Sequence, residues 1–254
     1  MLILTSLNGI PLVQPGDDLG EFIFKAVKQT GITLQEGDIL VLAQKIVSKS
    51  EGRFVNLATV RPSNTAHRLA RETCKDPRLV ELIFRESKEI LRTRPGTIIV
   101  KHRLGFVCAN AGIDHSNVSG VGSTGEEWVL LLPLDPDVSA QQLRSHLEGV
   151  SGVSLGVMII DSHGRAWRLG TVGVAIGLAG VPGLVDMRGW SDLFGYTLQI
   201  TQVGAADELA AAASLMMGQA AEGTPVIHVR GFPYPLRDGA LGELLRPGEQ
   251  DLFR

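Results

Sequence analysis

Residues 109–117 read Ala109-Asn110-Ala111-Gly112-Ile113-Asp114-His115-Ser116-Asn117 and follow an alternating run, residues 105–108, that predicts a β-strand. The segment brings a carboxylate, an amide and a hydroxyl together beside small residues, which let a ligand approach the backbone closely. Short oxygen-bearing side chains at the end of a strand suit a hard divalent cation or a polar ligand. This stretch therefore predicts a sheet whose strand end supplies one half of an oxygen-lined site.

A second predicted strand ends in the same way. Val157-Met158-Ile159-Ile160 is a short apolar run typical of a buried strand, and it leads into Asp161-Ser162-His163-Gly164-Arg165. Two apolar strands that each end in an aspartate and a hydroxyl together predict a paired-carboxylate metal site. His115 and His163 lie beside these ligand candidates. Because side chains alternate in direction along an extended chain, we expect both imidazoles to point away from the site.

The composition indicates a packed globular protein. Of 254 residues, 44% are hydrophobic and 20% are charged, which favours a core and argues against bulk disorder. The net charge of −3 does not provide the excess positive charge that is typical of nucleic-acid-binding proteins. Two cysteines, Cys74 and Cys108, without a CxxC pair fit a reducing compartment and no thiolate metal site. We expect a cytoplasmic protein with no signal peptide and no membrane association, and we interpret the uncharged stretch between Arg168 and Asp186 as buried strand and turn.

The spacing of apolar residues predicts a mixed α/β fold. Predicted strands cover residues 1–6, 39–43, 97–101, 105–108, 128–132, 157–160, 196–203 and 225–230. Predicted helices run from Asp17 or Asp18 to Gln29, from Ser63 to Leu69, from Pro77 through Ile90, from behind Asp137 and Ser139 to Leu147, and from Asp207 to Met217. Residues 44–52 are polar and basic. Many elements fall outside strict βαβ alternation, so we expect mixed sheets with packed helices and not a Rossmann fold.

Two short motifs raise the question of a nucleotide. Gly120-Val121-Gly122-Ser123-Thr124-Gly125 matches GxGxxG, but a strand-like run follows it where a dinucleotide site needs a helix, so we interpret it as a loop. Lys45, Ser48 and Lys49 directly follow a predicted strand. They form either a solvated basic loop or a phosphate clamp, since lysine supplies a point charge and serine a donor.

Two further segments also have a purely structural interpretation. Residues 217–224, Met217-Gly218-Gln219-Ala220-Ala221-Glu222-Gly223-Thr224, follow a predicted helix and are typical of a glycine-terminated cap and loop. Arg165 and Arg168 flank a candidate carboxylate site. They either hold anionic groups of a substrate or pair with Asp161 as a structural salt bridge.

Taken together, these segments resemble the coenzyme F420-0:L-glutamate ligase family over nearly the whole chain. Each segment is modest, but their order and spacing are specific. The matching segments are Asn8-Gly9-Ile10-Pro11-Leu12, Pro15-Gly16-Asp17-Asp18-Leu19, Gly37-Asp38-Ile39-Leu40-Val41, Val47-Ser48-Lys49-Ser50-Glu51-Gly52, Asn110-Ala111-Gly112-Ile113-Asp114, Ser116-Asn117, Leu131-Leu132-Pro133-Leu134-Asp135-Pro136-Asp137, Asp161-Ser162-His163-Gly164-Arg165, Ala206-Asp207-Glu208-Leu209-Ala210-Ala211, Met217-Gly218 and Val229-Arg230-Gly231. The resemblance implies a family-specific ligase fold in one module, residues 1–254, built as one unit or as two intimately packed subdomains. It also implies the stand-alone form, without a flavin-binding domain.

The resemblance assigns roles to particular residues. The implied metal ligands are Asp114, Asp161, Ser162 and Gln219. Relatives often have threonine at the position of Ser162, and serine keeps the same oxygen ligand. Some relatives have glutamate at the position of Gln219. Glutamine keeps an oxygen but removes a negative charge, so the second metal is expected to bind more weakly here. The implied nucleotide contacts are Asn8, Gly9, Ile10, Pro11, Gln44, Lys45, Lys49, Asn117, Met217, Gly218, Gln219, Ala220, Ala221, Glu222, Gly223 and Thr224.

The implied activity is GTP-dependent addition of L-glutamate to the deazaflavin precursor of coenzyme F420 through an acyl phosphate. The expected cofactors are two Mg²⁺ or Mn²⁺ ions, with a monovalent cation as a further candidate, and the expected assembly is a homodimer. Asp114 and Asp161 act through the metal, and Arg165 and Arg168 are candidates for binding the anionic arm of the deazaflavin. Two alternatives stay open: a metal-dependent nucleotide or phosphate-ester hydrolase, and a non-catalytic binding protein of the same fold.

Overall fold

A computed structural model of the chain describes residues 1–116, 118 and 127–251. Two predictions therefore lie outside the described residues: the GxGxxG segment within the loop 120–126, and the nucleotide contact implied at Asn117. Among the described residues, no helix combines the length and the apolar character needed to cross a bilayer.

The described chain folds into twelve strands and six α-helices. The strands are β1 (Ile3–Ser6), β2 (Ile39–Ala43), β3 (Phe54–Asn56), β4 (Ser87–Arg94), β5 (Thr97–His102), β6 (Val107–Ala109), β7 (Trp128–Leu130), β8 (Gly156–Arg165), β9 (Arg168–Ala179), β10 (Val185–Asp186), β11 (Gln202–Val203) and β12 (Val226–Arg230). The helices are α1 (Leu19–Gln29), α2 (Gln44–Ser50), α3 (Asn64–Thr73), α4 (Pro77–Arg85), α5 (Pro136–Ser151) and α6 (Ala205–Met217).

The largest sheet has five strands in the order β1-β12-β2-β8-β9. Strands β2 and β8 run parallel, from the pair Ile39–Gly156 to the pair Ala43–Ile160, whereas the other neighbours in this sheet are antiparallel. A doubly wound sheet would be mostly parallel. The structure therefore confirms a mixed α/β fold that is not of the Rossmann type.

Helices cover both faces of this sheet. Leu40 and Leu42 of β2 belong to a core shared with α1 and α5, and the alternating Ile39 and Val41 belong to a core shared with α6. A strand buried on both faces has no need for polar alternation, which explains the continuous apolar sequence of β2. Glycine lets the helices approach β9 closely, because a Cβ at Gly173 would lie 2.5 Å from the carbonyl oxygen of Ala210 in α6.

A smaller lobe combines the three-stranded sheet β4-β5-β6 with α3 and α4. Its core alternates along β5, where Ile98, Val100 and His102 are buried and the intervening residues are partly exposed. Glu86 links this lobe to the rest of the chain, because its carboxylate accepts hydrogen bonds from Arg53 and Arg103. The two arginines in turn donate to backbone carbonyls at residues 132–134. The prediction of a single module is compatible with this arrangement and stays a prediction.

Several helix boundaries confirm the sequence signals and others correct them. Asp18 and Ser63 cap α1 and α3 through hydrogen bonds from Glu21 N and Ala66 N, as predicted. The prediction that the helix from Pro77 extends through Ile90 is wrong. It ends at Arg85, and Ile90 lies in β4 opposite Val100. Buried apolar residues of a helix and of the following strand pack on one core here, so their spacing imitates a longer helix.

Three other predictions also need correction. Residues 44–52 were described from the sequence only as polar and basic, with no helix predicted, but residues 44–50 form α2. The buried side of this helix includes the polar Gln44 and Ser48, which hides the helical pattern. Helix α5 starts at Pro136, earlier than predicted, since Asp135 is the capping residue. The strand predicted at 196–203 is limited to Gln202–Val203, because Tyr196 and Ile200 are exposed and meet no core that would favour a longer strand.

Candidate active site at the carboxyl end of the central parallel strands

The candidate site lies where β2 stops and β8 continues. The last residue of β2, Ala43, pairs with Ile160, so residues 161–165 of β8 extend beyond it, and α2 begins immediately at Gln44. Ligands of open α/β sheets commonly bind beyond the carboxyl ends of such strands. A cavity of about 280 Å³ opens here. Its lining residues are Ile10, Pro11, Leu12, Val13, Ala43, Gln44, Lys45, Ile46, Lys49, Ile160, Asp161, Ser162, Ser214, Met217, Gly218, Gln219, Ala220, Glu222, Gly223, Thr224 and Pro225.

Asp161 is one of the two candidate carboxylates. Its side chain is only 15% exposed, and its Oδ2 lies 3.0 Å from Nε2 of His163. Burial by itself raises the pKa of Asp161, but the hydrogen bond and the charge of His163 reverse this effect and lower the pKa. Asp161 is therefore held as a carboxylate at the cavity wall. The expectation that the imidazole of His163 points away is wrong, because residues two apart on a strand share a face.

Asp114 is the other candidate carboxylate. Its backbone forms an isolated bridge with Leu130, which fixes it just after the turn Asn110–Gly112. Gln44 Nε2 donates to Asp114 Oδ2 over 2.7 Å, and Lys45 Nζ lies 3.5 Å from Oδ1. Burial raises the pKa of Asp114 to about 6, and the charge of Asp161 adds to this effect against the charge of Lys45. The two carboxylates are therefore close enough to repel each other.

A polar chain occupies the other side of β8. Ser162 Oγ donates to Gln219 Oε1 over 3.0 Å, and Gln219 Nε2 donates to Ser214 Oγ over 3.0 Å. Gln219 follows the end of α6, where Gly218 has a φ of +75°. A Cβ at Gly218 would lie 2.2 Å from Cδ of Glu222, so glycine lets the loop fold back on itself. Glu222 then accepts from Ala220 N.

The two lysines of α2 both reach this region. Lys45 Nζ donates to Ser116 Oγ over 2.8 Å, next to Asp114. Lys49 is half-buried in the cavity wall, and burial together with the charge of Lys45 lowers its pKa. The alternative of a fully solvated basic loop is therefore wrong. The phosphate-clamp interpretation stays a prediction for Lys45 and Lys49. It is wrong for Ser48 as the donor, because Ser48 is fully buried and its hydroxyl donates to Gln44 Oε1.

The structure brings together most, but not all, of the expected nucleotide contacts. The loop residues 217–220 and 222–224 line the cavity, as do Ile10 and Pro11. Gly9 and Ala221 are adjacent to lining residues in the chain and Asn8 is two positions from Ile10, but none of the three belongs to the cavity wall as described. Gln44 lines the cavity but is only 2% exposed, and its amide is already hydrogen bonded on both sides. Its expected role as a nucleotide contact stays untested.

Arg165 and Arg168 lie outside the cavity. They pair with each other across the tip of the β8–β9 hairpin, both are exposed, and Arg165 Nη2 donates to Leu169 O over 3.3 Å. The alternative of a structural salt bridge with Asp161 is wrong as far as the described residues go, because His163 takes that position. The contact of Arg165 and Arg168 with an anionic substrate stays a prediction.

The donor set fits a hard divalent cation in part. Asp114, Asp161, Ser162 and Gln219 offer oxygen ligands, and repulsion between the two carboxylates is relieved by a cation between them. Among the described residues, no group of three or more histidine, cysteine, aspartate or glutamate side chains is arranged to hold a metal ion alone. Ions at this site would thus need further oxygens, such as those of phosphates.

Sequence reasoning missed several residues of the site. Leu12 and Val13 line the cavity, although only the preceding residues were expected there. Ser48 and His163 were named in the sequence analysis but with other roles, since in the structure they hold site side chains in place through hydrogen bonds. The signals that reveal them are the spacing of two along a strand for His163 and Asp161, and the spacing of four along a helix for Ser48 and Gln44.

Comparisons with known proteins agree with this picture. The family described as F420-0:gamma-glutamyl ligase matches residues 9–231. The chain is 48% identical to the coenzyme F420:L-glutamate ligase of Methanothermobacter thermautotrophicus, over 99% of this chain and 98% of that protein. It is 46% identical to the protein of the same name from Methanopyrus kandleri, over 98% of this chain and 97% of that protein. It is 41% identical to the protein of the same name from Methanocaldococcus jannaschii, over 91% of this chain and 93% of that protein.

The class of protein that these matches support is a ligase, and the α/β fold and the cavity are compatible with it. It belongs to the F420-0:gamma-glutamyl ligase family, because the family match covers most of the chain and the relatives align over nearly their whole lengths.

Proposed function

We propose that this protein is a GTP-dependent amide ligase that joins L-glutamate to a deazaflavin precursor of coenzyme F420. The observation that carries the proposal is the presence of Asp161, Lys45 and Lys49 in the wall of one cavity. Asp114 does not line this cavity as described, but its Oδ1 lies 3.5 Å from Lys45 Nζ and its carboxylate feels the charge of Asp161. The printed names of the relatives, coenzyme F420:L-glutamate ligase, support the choice of substrates.

The proposed chemistry requires an activated carboxyl group, because a carboxylate is a poor acyl donor to an amine. A carboxylate oxygen of the precursor attacks the γ-phosphorus of GTP and forms a bond to it. The bond between the γ-phosphorus and the oxygen that bridges it to the β-phosphate breaks, which releases GDP. The α-amine of glutamate then attacks the acyl phosphate, loses a proton and expels inorganic phosphate, which leaves the amide. Phosphoryl transfer of this kind depends mainly on positioning and on charge stabilisation.

The residues of the chain divide this work. Lys45 and Lys49 orient the phosphates of the nucleotide, and residues 217–220 and 222–224 supply another part of the wall of its site. Asp114, Asp161, Ser162 and Gln219 are the residues that would hold two Mg²⁺ or Mn²⁺ ions, which when bound neutralise negative charge that develops on the phosphates. Arg165 and Arg168 remain candidates for the anionic arm of the deazaflavin, since both are exposed and lie on the same β8 hairpin as Asp161.

We also propose that the working form is a homodimer. Trp167, Leu169, Leu193, Phe194 and Leu215 are each at least 85% exposed. Single exposed apolar residues are common, but so many large ones are typical of a surface that another protein covers. The uncharged stretch between Arg168 and Asp186 does not add to this surface, because its apolar end is buried strand and turn in the chain's own core, as predicted.

The test is formation of GDP by the purified protein with GTP, Mn²⁺ and precursor, with and without L-glutamate, followed by mass spectrometry of the deazaflavin product. Glutamate-dependent GDP together with a product heavier by one glutamyl residue is the expected result. GDP formed equally well without glutamate or precursor would favour the hydrolase alternative. A protein that forms no product and no GDP, although GTP raises its melting temperature, would favour the binding protein.

A further inference from the structure

Helix α2 buries two polar side chains, Gln44 and Ser48, at positions where apolar residues would form the helix equally well. Gln44 is 2% exposed and Ser48 is fully buried, whereas the lysines of the same helix are partly exposed in the cavity wall. A polar group removed from water costs free energy unless it is hydrogen bonded, so a buried pair like this calls for a structural explanation.

The pair forms a directed chain of hydrogen bonds that ends on a candidate metal ligand. Ser48 Oγ donates to Gln44 Oε1 over 2.9 Å, and Gln44 Nε2 donates to Asp114 Oδ2 over 2.7 Å. A helical serine usually bonds back to the carbonyl oxygen four residues earlier, but here its hydroxyl bonds to the side chain four residues earlier. The direction matters, because an amide turned the other way would place its oxygen against the carboxylate.

We propose that Ser48 and Gln44 are positioning residues that fix the orientation of the Asp114 carboxylate. The amide of Gln44 occupies Oδ2, and Ser48 keeps that amide from turning over. Oδ1, which lies 3.5 Å from Lys45 Nζ, is then the oxygen left for a cation at the site. The inference rests on the proposed function in one respect, since it takes Asp114 to be a ligand of Mn²⁺ or Mg²⁺.

A merely structural role for Ser48 predicts something different. If the hydrogen bonds serve only to satisfy buried polar atoms, their loss would lower the stability of the fold and leave the affinity for metal unchanged. A positioning role predicts loss of metal affinity beyond any effect on stability, because residues that orient a metal ligand typically change affinity by about 10- to 100-fold. The two roles are therefore separated by measuring binding and melting on the same variants.

Helix α2 also provides a matched control. The hydroxyl of Ser50 is also a donor within this helix, but it donates to the backbone oxygen Val47 O over 2.9 Å and not to Gln44. Ser48→Ala and Ser50→Ala thus remove the same hydroxyl group from one helix, and only the first interrupts the chain to Asp114. Gln44→Met removes the amide at similar side-chain length and provides a second way to interrupt it.

The experiment measures Mn²⁺ binding to wild-type and variant proteins by the electron paramagnetic resonance signal of free Mn²⁺, alone and with GDP, together with melting temperatures in chelator. We expect Ser48→Ala and Gln44→Met to weaken Mn²⁺ binding about tenfold or more, and Ser50→Ala to leave it unchanged. Equal Mn²⁺ affinities in wild type, Ser48→Ala and Gln44→Met would overturn the inference, as would a wild-type protein that binds no Mn²⁺ in either condition. Failure of the proposed function would look different: wild type would bind Mn²⁺ with these variant effects but form no glutamate-dependent GDP.

Discussion

Nε2 of His163 lies 3.0 Å from Oδ2 of Asp161, and the two residues are separated by a single position on β8. Phe106 packs against the ring of His163, with ring centroids 5.1 Å apart. Phe106 in turn stacks on the buried His102, so the ring of His163 lies against a fixed neighbour. Both candidate carboxylates of the site therefore have a side-chain donor, His163 for Asp161 and Gln44 for Asp114.

The first prediction concerns this donor. His163→Phe keeps an aromatic ring beside Phe106 but removes the hydrogen bond, so we expect weaker Mn²⁺ binding by about tenfold, near 1.4 kcal/mol. His163→Gln can still donate from a side-chain N–H group and should recover part of the affinity. Calorimetric titration with Mn²⁺ measures both. His67→Phe, at an exposed position of α3, is the control. If His163→Phe binds Mn²⁺ as tightly as wild type, His163 does not orient a metal ligand.

The second prediction concerns Lys49. Burial and the neighbouring charge of Lys45 lower its pKa, which means that the folded protein holds this cation at some cost. Lys49→Ala should therefore weaken GTP binding about tenfold or more while the melting temperature stays the same or rises slightly. Lys75→Ala is the matched control, because Lys75 is also a half-buried lysine whose pKa is lowered by burial, but it lies after α3 and away from the cavity. An unchanged affinity for GTP in Lys49→Ala would argue against the phosphate clamp.

The third prediction is a pH dependence of stability that arises at Glu86. Burial by itself raises the pKa of this carboxyl, but His102 and the guanidinium groups of Arg103 and Arg53 lower it to about 2 from an ordinary value of 4.5. Because the pKa is depressed in the fold, the stabilisation is present above pH 4.5 and is lost as the pH falls from 4.5 to about 2. A depression of this size corresponds to about 3 kcal/mol.

Urea unfolding at several pH values tests the role of Glu86. Glu86→Gln should be less stable than wild type by about 3 kcal/mol at pH 7, and the two should converge as the pH approaches 2. Glu72→Gln, on the exposed side of α3, should follow the wild-type curve throughout. A stability difference between Glu86→Gln and wild type that is the same at pH 7 and pH 3 would contradict the assignment.

Local patterns predicted much of the secondary structure. The capped helix α1 and the buried strands β2 and β12 follow from apolar spacing and capping residues that lie next to each other in the chain. The strand order could not be predicted, because β1 and β12 come from opposite ends of the sequence and their pairing leaves no local signal. Helix α2 was missed for a related reason: its buried Gln44 finds a partner that is distant in sequence, Asp114, and in turn accepts a hydrogen bond from the buried Ser48.

The site was predictable in its residue types but not in its geometry. Asp114 and Asp161 stand out because each combines with a nearby hydroxyl after an apolar run, and the structure places their charges close together. Alternation along the strand puts Asp161 and Ser162 on opposite sides of β8, but nothing local predicts that Gln219, 57 positions further along the chain, is the partner that Ser162 meets there. The roles of the 217–224 loop came from the family resemblance, since the sequence of the loop is also that of an ordinary helix end.

The fourth prediction concerns assembly. Leu193 and Phe194 are 98% and 94% exposed and lie next to the half-exposed Trp190. We expect light scattering to report twice the 27.2 kDa of one chain at micromolar concentration. Replacing Leu193 and Phe194 by aspartate should shift the protein toward the single-chain mass if this surface is the interface. A wild-type mass of 27.2 kDa at all micromolar concentrations would refute the dimer.

The last prediction concerns Gln219, whose Oε1 accepts a hydrogen bond from Ser162 and whose Nε2 donates to Ser214. Gln219→Glu preserves the shape and adds a negative charge, and the hydroxyl of Ser214 can turn to donate to the new carboxylate. Hard cations bind more tightly as anionic ligands are added, so Gln219→Glu should lower the Mn²⁺ concentration for half-maximal activity by about tenfold at saturating GTP, near 1.4 kcal/mol. A larger gain is not expected, because the phosphates of the nucleotide already carry most of the negative charge around the cation. The measurement is a Mn²⁺ titration of glutamate-dependent GDP formation, with the exposed Gln141→Glu as a control for added charge. Superimposable curves for wild type and Gln219→Glu would mean that Gln219 does not contact the metal, and the 217–224 loop would then keep only its proposed contact with the nucleotide.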